Sequence, residues 1–193
     1  MHCIQRAGKA IRVVLAAMMA VAAAALSLLA GPAMASPSGA PPSSPPAGAI
    51  HAQMVLNCDT MSAKAHGYAV SHGYCPTSTG SAAPNAVAYG NCGDSWIYIF
   101  DDTEGNAEID WGFDSSLGAV VYRSLSVGYS GVDESGGWPD AAWMSSSSYA
   151  NARTGIWVGP YGEAYATVGG TVTLWWGGQC TLLEPTDSTY MGS

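Results

Sequence analysis

The sequence predicts an all-β fold, a single disulfide-linked β-sandwich or small barrel with a short helical segment before it. The main observation is a change of pattern from residue 86 onward, where short runs rich in Val, Ile, Tyr, Trp and Thr are separated by Gly, Asn, Asp and Ser. Such runs are typical of strands joined by tight turns. The clearest strand is 107–114, because Ile109, Trp111 and Phe113 alternate with polar residues and glycine. We expect one face of that strand to enter the core and the other, which carries carboxylates, to face solvent.

The first 35 residues have the features of an export signal. Three basic residues lie at the start, an apolar run follows at 13–30, and Ala33-Met34-Ala35 forms a small-x-small cleavage site. We therefore expect cleavage before Ser36, secretion of the mature protein to the extracellular medium, and no stable membrane anchor after cleavage.

Cleavage would leave a strongly acidic chain. The mature protein would keep three basic residues, Lys64, Arg123 and Arg153, against all 14 acidic residues, a net charge of −11. Neutralising phosphates requires several clustered cations. The sequence therefore argues against nucleic acid as a partner.

Residues 36–53 are predicted to form a flexible linker, because this segment is rich in Pro, Ser and Gly and has little to bury. Residues 54–85 follow as a short lead-in. Within it, Asp59 is expected to cap a helix that runs to about His72 and ends at Gly73. Residues 86–193 then form the β-sandwich domain.

The remaining elements of the β domain follow from its turn residues. Tight turns are expected at Glu104-Gly105-Asn106 and at Gly169-Gly170. The segment 130–148, rich in Gly and Ser, is expected to be a loop. The predicted strands are 95–101, 107–114, 118–129, 152–158, 162–168 and 171–177.

Four cysteines remain after the predicted cleavage, namely Cys58, Cys75, Cys92 and Cys180. An even number in an oxidising compartment predicts two disulfides. Of the three pairings that four cysteines allow, we favour Cys58 with Cys75, a local loop, and Cys92 with Cys180, which ties the start of the β domain to its end. Each should stabilise the fold by about 2 to 4 kcal/mol.

Carboxylates concentrate around the 107–114 strand. Oxygen ligands of this kind are what calcium takes in proteins, which makes Asp102, Glu104, Glu108 and Asp110 candidate metal ligands. The alternative is a polar face that is simply solvated. The same acids would also serve a hydrolase that uses one acid and one base or nucleophile.

All seven tryptophans and all ten tyrosines follow residue 35. Rings with a polar group suit sugar stacking and protein interfaces. Trp175 is expected to be exposed, because its strand places Val172 and Leu174 on the opposite face. Trp138 and Trp143, in the predicted loop, could join it in a binding platform or could cap the core.

Three segments of the β domain resemble small secreted proteins of filamentous Gram-positive bacteria that have no assigned function. They are the runs Gly90-Asn91-Cys92-Gly93-Asp94-Ser95-Trp96, 114–122 and 174–180. The resemblance implies a secreted setting and carries no catalytic residue. Taken with the aromatic residues, the sequence favours a non-enzymatic module that binds an extracellular glycan or protein. A carboxylate-dependent extracellular hydrolase and a secreted toxin or inhibitor are the alternatives.

Overall fold

The computed structural model describes residues 44–77 and 89–192. The predicted signal peptide, the first part of the predicted linker and the polar stretch at 78–88 lie outside the described residues.

The described residues form nine strands and one helix. The nine strands make one antiparallel sheet that is nearly closed into a barrel. The predicted all-β class with a short helical lead-in is thereby confirmed. Along the sheet the strands follow the order β5-β4-β7-β8-β1-β2-β3-β6, and β9 pairs with β7. The elements are β1 (Ile50–Asn57), α1 (Ala63–Ser71), β2 (Tyr89–Asp101), β3 (Asn106–Ser115), β4 (Val120–Ser130), β5 (Ser135–Ser146), β6 (Ser148–Trp157), β7 (Gly162–Leu174), β8 (Gln179–Leu182) and β9 (Thr186–Met191).

The interior of the barrel is filled by alternate side chains of every strand. In β3, Ile109, Trp111 and Phe113 are at most 2% exposed, so the predicted core face of this strand is confirmed. Burial of large aliphatic and aromatic side chains supplies about 1.5 to 3 kcal/mol each. The largest of the other fully buried side chains in this core are Met54, Leu56, Ile97, Ile99, Leu174, Leu182 and Met191.

Both predicted disulfides are present. Cys58 pairs with Cys75 with a Cα–Cα distance of 5.9 Å, and Cys92 pairs with Cys180 with a Cα–Cα distance of 6.1 Å. The first encloses α1, and the second joins β2 to β8 across the intervening β1. Disulfides of this kind persist in oxidising compartments.

Helix α1 ends as predicted but starts later. Its N-cap is Ser62, whose side chain accepts a hydrogen bond from the Ala65 backbone amide at 3.2 Å, so the predicted cap at Asp59 is wrong. The C-cap is His72, and Gly73 follows with a φ of 73°, the left-handed conformation that commonly ends a helix. Asp59 instead lies in a turn before the helix, where the Asn57 side chain accepts hydrogen bonds from the backbone amides of Asp59 and Thr60 at 3.2 and 3.3 Å.

Three parts of the chain differ from the sequence-based expectation. Strand β1 begins at Ile50, inside the predicted linker, and pairs with both β2 and β8. Strand β5 occupies most of the predicted loop at 130–148. Strand β7 runs without interruption through Gly169-Gly170, where a turn was expected.

The Gly169-Gly170 pair serves close packing instead of a turn. Gly170 has a φ of 123°, and a Cβ at this position would lie 2.3 Å from the carbonyl oxygen of Ser124 on the neighbouring β4. Glycine inside a strand often marks a bend or a close approach of two backbones. Gly170 therefore lets β7 approach β4 closely, while a Cβ on Gly169 would meet the side chain of Glu184.

In the described part of the chain, no helix is both long and apolar enough to cross a membrane.

Candidate functional site

An aromatic pair stands on the outside of the barrel where β4 and β5 run side by side. Trp143 of β5 lies directly opposite Tyr122 of β4, with ring centroids 4.9 Å apart, and it is 80% exposed. On its other side Tyr122 pairs with Thr173 of β7. Trp175 follows two residues later, just past the end of β7, and its amide donates to the carbonyl of Ala119, the residue before β4, at 3.0 Å. We call Tyr122, Trp143 and Trp175 the outer aromatic surface.

Trp175 is 58% exposed, so its predicted exposure is confirmed. Helix α1 supports it from the side, because Tyr68 meets the Trp175 ring edge-on with centroids 5.6 Å apart. Tyr68 is itself held between His72 and Trp176, with centroid distances of 4.0 and 5.0 Å. The Cys58–Cys75 disulfide encloses this helix and thus fixes the support of the exposed ring.

The structure separates Trp138 from this surface. Trp138 and Trp143 are five residues apart on one strand, so their side chains point to opposite faces of the sheet. Trp138 is partly buried and packs against the core, where its ring meets Trp111 with centroids 5.6 Å apart. Trp138 thus follows the second of the two expectations, a ring that packs against the core, whereas Trp143 and Trp175 are both exposed.

The two ends of the sheet, β5 and β6, meet at a seam that side chains hold together. The central group is the carboxylate of Asp140 on β5, which accepts hydrogen bonds from the Tyr149 hydroxyl at 2.6 Å and from the Trp111 indole at 2.8 Å. Arg123 completes the set with donors 2.8 and 2.9 Å from the same carboxylate, and its guanidinium lies 3.8 Å from the centroid of the Tyr149 ring.

This network is nearly sealed from solvent. Side-chain exposure is 14% for Arg123 and 9% for Asp140. Burial and the hydrogen bond to Asp140 raise the pKa of Tyr149 well above its usual range, so the hydroxyl stays protonated and donates. Every charge in the network has an opposite partner and hydrogen bonds, which is the condition under which buried charges are tolerated.

Further along the seam the two strands leave a cavity of about 330 Å³. Gly137 and Trp138 line it from β5, and Arg153 and Thr154 line it from β6. The Arg153 guanidinium lies 4.5 Å from the centroid of the Trp138 ring. We call this space the seam cavity.

The acidic face of β3 is only partly the exposed surface that the sequence predicts, because Asp114 is exposed but Asp110 is buried. Asp110 is only 5% exposed, and its Oδ1 atom has no hydrogen-bond partner among the described residues. Burial, together with the negative charge and hydrogen bond of Glu108, raises the pKa of Asp110 from 3.8 to about 7. Glu108 and Asp110 lie two residues apart on β3 and share a side-chain hydrogen bond, and their use by a carboxylate-dependent hydrolase stays a prediction.

The other predicted metal ligands lie at the turn between β2 and β3. Asp102 is near enough to Glu108 to raise the pKa of that carboxyl, after the larger effect of burial, while Glu104 is exposed with a φ of 53°. Within the two described stretches, no group of three or more His, Cys, Asp or Glu side chains is placed to hold a metal ion. Calcium binding by Asp102, Glu104, Glu108 and Asp110 stays a prediction.

Comparisons of the chain with protein-family models, with curated proteins and with solved structures found no match. The resemblance to secreted proteins of filamentous Gram-positive bacteria therefore stays an expectation. Function has to be inferred from the geometry of the described residues.

Sequence reasoning missed the partners that define both sites. The sequence predicts a strand at Tyr122, but the position of Tyr122 beside Trp143 depends on the pairing of β4 with β5, and the sequence predicts a loop for the β5 segment. The signal for the seam cavity was composition, because Arg123 and Arg153 are two of only three basic residues after residue 35. Both fall on the seam.

Proposed function

We propose that this protein is a secreted, non-enzymatic module that binds an extracellular glycan through its outer aromatic surface. The observation that carries the proposal is the 80% exposure of Trp143 on a regular strand, beside the ring of Tyr122. The export-type features of the first 35 residues and the two disulfides support the extracellular setting.

Trp143 packs against the ring of Tyr122, and 80% of the residue stays exposed. Trp143 leaves most of its ring in water, whereas Trp138 on the inward side of the same strand is partly buried against the core. A rigid, exposed ring loses little conformational entropy when it meets a ligand, and aromatic anchors of this kind dominate binding energies.

The neighbourhood of the rings favours a glycan over an apolar protein surface. Ser124 and Ala141 follow Tyr122 and Trp143 on the same face, two residues along each strand, and Thr173 lies across from Tyr122. These short side chains let the rings stand above an otherwise flat sheet. Hydroxyl groups beside them can exchange hydrogen bonds with sugar hydroxyls, while the rings cover the apolar faces of the sugar.

The test is retention of the purified protein on insoluble cellulose, chitin and bacterial cell-wall sacculi. If the protein is retained on one of these, Trp143→Ala should lower its affinity about tenfold, which is equivalent to about 1.4 kcal/mol of lost stacking. Trp175→Ala should have an effect of the same sign.

The matched control is Tyr190→Ala on β9. Tyr190 is 73% exposed and lies on a strand that pairs with neither β4 nor β5. Its removal should leave retention unchanged. Equal losses for Tyr190→Ala and Trp143→Ala would show non-specific adsorption and contradict the proposal, as would absence of retention on all three materials. Capture of a protein by the same surface, lost in Trp143→Ala, would replace the glycan with a protein partner.

A further inference from the structure

Two arginines at the seam each place the guanidinium over an aromatic ring, but only Arg123 also binds a carboxylate among the described residues. Arg123 lies over the ring of Tyr149 at 3.8 Å, and Arg153 lies over the ring of Trp138 at 4.5 Å. An aromatic face fixes the plane of each guanidinium and leaves the N–H groups along its edge free to donate.

At Arg123 those donors are used within the protein. Both Nε and Nη2 donate to Oδ1 of Asp140, at 2.9 and 2.8 Å. A guanidinium above a ring with a carboxylate at its edge is thus a complete binding arrangement in this fold. It is also nearly buried.

At Arg153 the carboxylate is missing. No carboxylate oxygen among the described residues lies within 4.0 Å of the Arg153 guanidinium. The side chain is exposed and lines the seam cavity of about 330 Å³, within the size range of small-molecule sites. In a chain with 14 acidic residues, this guanidinium is positioned by a ring and forms no ion pair among the described residues, so its donors can bind a ligand.

We infer that the seam cavity is a second binding site, independent of the outer aromatic surface, and that it takes a sugar acid whose carboxylate binds Arg153 as Asp140 binds Arg123. Arginine matches a carboxylate with two parallel hydrogen bonds, and such charge-assisted bonds are about twice as strong as neutral ones.

The rest of the lining explains why the carboxylate should belong to a hydroxylated ring. Glu134 lines the same cavity and accepts a hydrogen bond from the Tyr129 hydroxyl at 3.4 Å. A carboxylate at this position repels a second anion but accepts hydrogen bonds from ligand hydroxyls. Thr154 adds a hydroxyl, and Trp157 adds an apolar wall. Arg153 would hold the acid of the sugar, and Glu134 its hydroxyl groups.

The experiment is titration of the purified protein with glucuronate and galacturonate, followed by tryptophan fluorescence and calorimetry. The uncharged sugars glucose and galactose have the same ring without the carboxylate. We expect at least tenfold tighter binding of one uronate than of its parent sugar, and a weaker uronate complex at high salt. A parallel titration with oligogalacturonate separates a free sugar acid from an acidic polysaccharide chain as the source of the ligand.

Three variants at two residues, Arg153 and Glu134, assign the binding to the seam cavity. Arg153→Gln should lower uronate affinity at least tenfold, and Arg153→Lys, which keeps the charge but loses the paired donors, should lie between it and the parent. Glu134→Gln should raise the affinity several-fold, because it removes the repelling charge and keeps an acceptor. Trp143→Ala should leave uronate binding unchanged, so failure here and failure of glycan binding at the outer aromatic surface are distinguishable.

Several outcomes would overturn the inference. They are equal affinity for a uronate and its parent sugar, unchanged uronate binding in Arg153→Gln, and competition by inorganic sulfate as strong as by uronate, which would indicate a general anion site. All three substitutions are at the solvent-accessible cavity, and an unchanged melting temperature checks that each variant is folded. If Arg153→Gln does not fold, unchanged or weaker binding by Glu134→Gln is sufficient to reject the inference.

Discussion

Asp110 is buried, although the alternation of residues along β3 predicts that it faces solvent. It belongs to the outward set of β3 by alternation, yet it is buried beside Glu108, and its Oδ1 atom has no hydrogen-bond partner within residues 44–77 and 89–192. Alternation assigns a side chain to a face of the sheet, but it does not report what covers that face. The charged form of a buried carboxyl is disfavoured, so Asp110 keeps its proton to about pH 7.

Stability should therefore fall as the pH rises from about 4 to about 7. In this interval the folded protein holds the Asp110 proton, whereas the unfolded chain has released it at its ordinary pKa of 3.8. Protonation thus stabilises the fold below pH 4, and this contribution is lost as the pH passes through the folded pKa; each pKa unit is equivalent to about 1.4 kcal/mol. Urea unfolding of Asp110→Asn at several pH values should show a flatter profile and, above pH 7, greater stability than the parent.

Asp114→Asn is the matched control for this measurement. Asp114 lies on the same strand and the same face but is exposed. Its substitution should leave the slope between pH 4 and pH 7 as it is in the parent. If Asp110→Asn keeps the slope of the parent, then Asp110 does not hold its proton in the folded state.

At the scale of elements, the sequence predicts those strands whose two faces differ in chemistry. Strand β3 is an example, because large apolar residues alternate there with acids. Strand β5 also alternates, with Trp138, Asp140 and Met144 inward and Trp143 outward, but its inward face carries a carboxylate and its outward face carries a tryptophan. The inward carboxylate of Asp140 and the outward ring of Trp143 form the seam and the outer aromatic surface. The same two side chains make β5 difficult to predict as a strand, because they reverse the usual pattern of apolar inward and polar outward residues.

Substitution of Gly170 tests whether the close approach of β7 to β4 requires a glycine inside the strand. Gly170→Ala should destabilise the fold by several kcal/mol, because its Cβ would lie 2.3 Å from the Ser124 carbonyl and its φ is 123°. Gly128→Ala on β4 is the control, since its Cβ would have its nearest neighbour, a methyl of Thr167, at 3.4 Å. Urea denaturation of both variants measures the difference. Equal destabilisation would mean that the close approach of β7 and β4 does not require glycine.

At the scale of the whole molecule, the barrel is closed in two different ways. Hydrogen-bonded pairing runs continuously from β5 through β1 to β6, and the remaining gap between β5 and β6 is bridged by the buried Asp140 network. Side chains can leave space between strands where backbone pairing cannot, which is why the seam cavity lies here. Neither feature is visible in the sequence, because Asp140 meets Trp111 and Arg123 only after the sheet has curved.

The buried disulfide Cys92–Cys180 joins β2 to β8, the two strands on either side of β1. Both cysteines are fully buried, and the bridge passes from β2 to β8 while closing a sequence separation of 88 residues. Restricting the unfolded chain over such a loop is equivalent to about 4.6 kcal/mol, against about 3 kcal/mol for the separation of 17 residues closed by Cys58–Cys75.

Replacing both Cys92 and Cys180 with alanine should therefore lower the free energy of unfolding more than replacing Cys58 and Cys75, as measured by urea denaturation of the two double variants. The two losses should also differ in kind. Removing Cys58–Cys75 should release α1, which buries only Ala65 and Ala69 fully, and so free Trp175 from its support by Tyr68 while the barrel stays folded. Removing Cys92–Cys180 should instead lower the stability of the barrel as one unit. A larger loss from the local disulfide would show that α1 contributes more to the fold than the closure of the sheet.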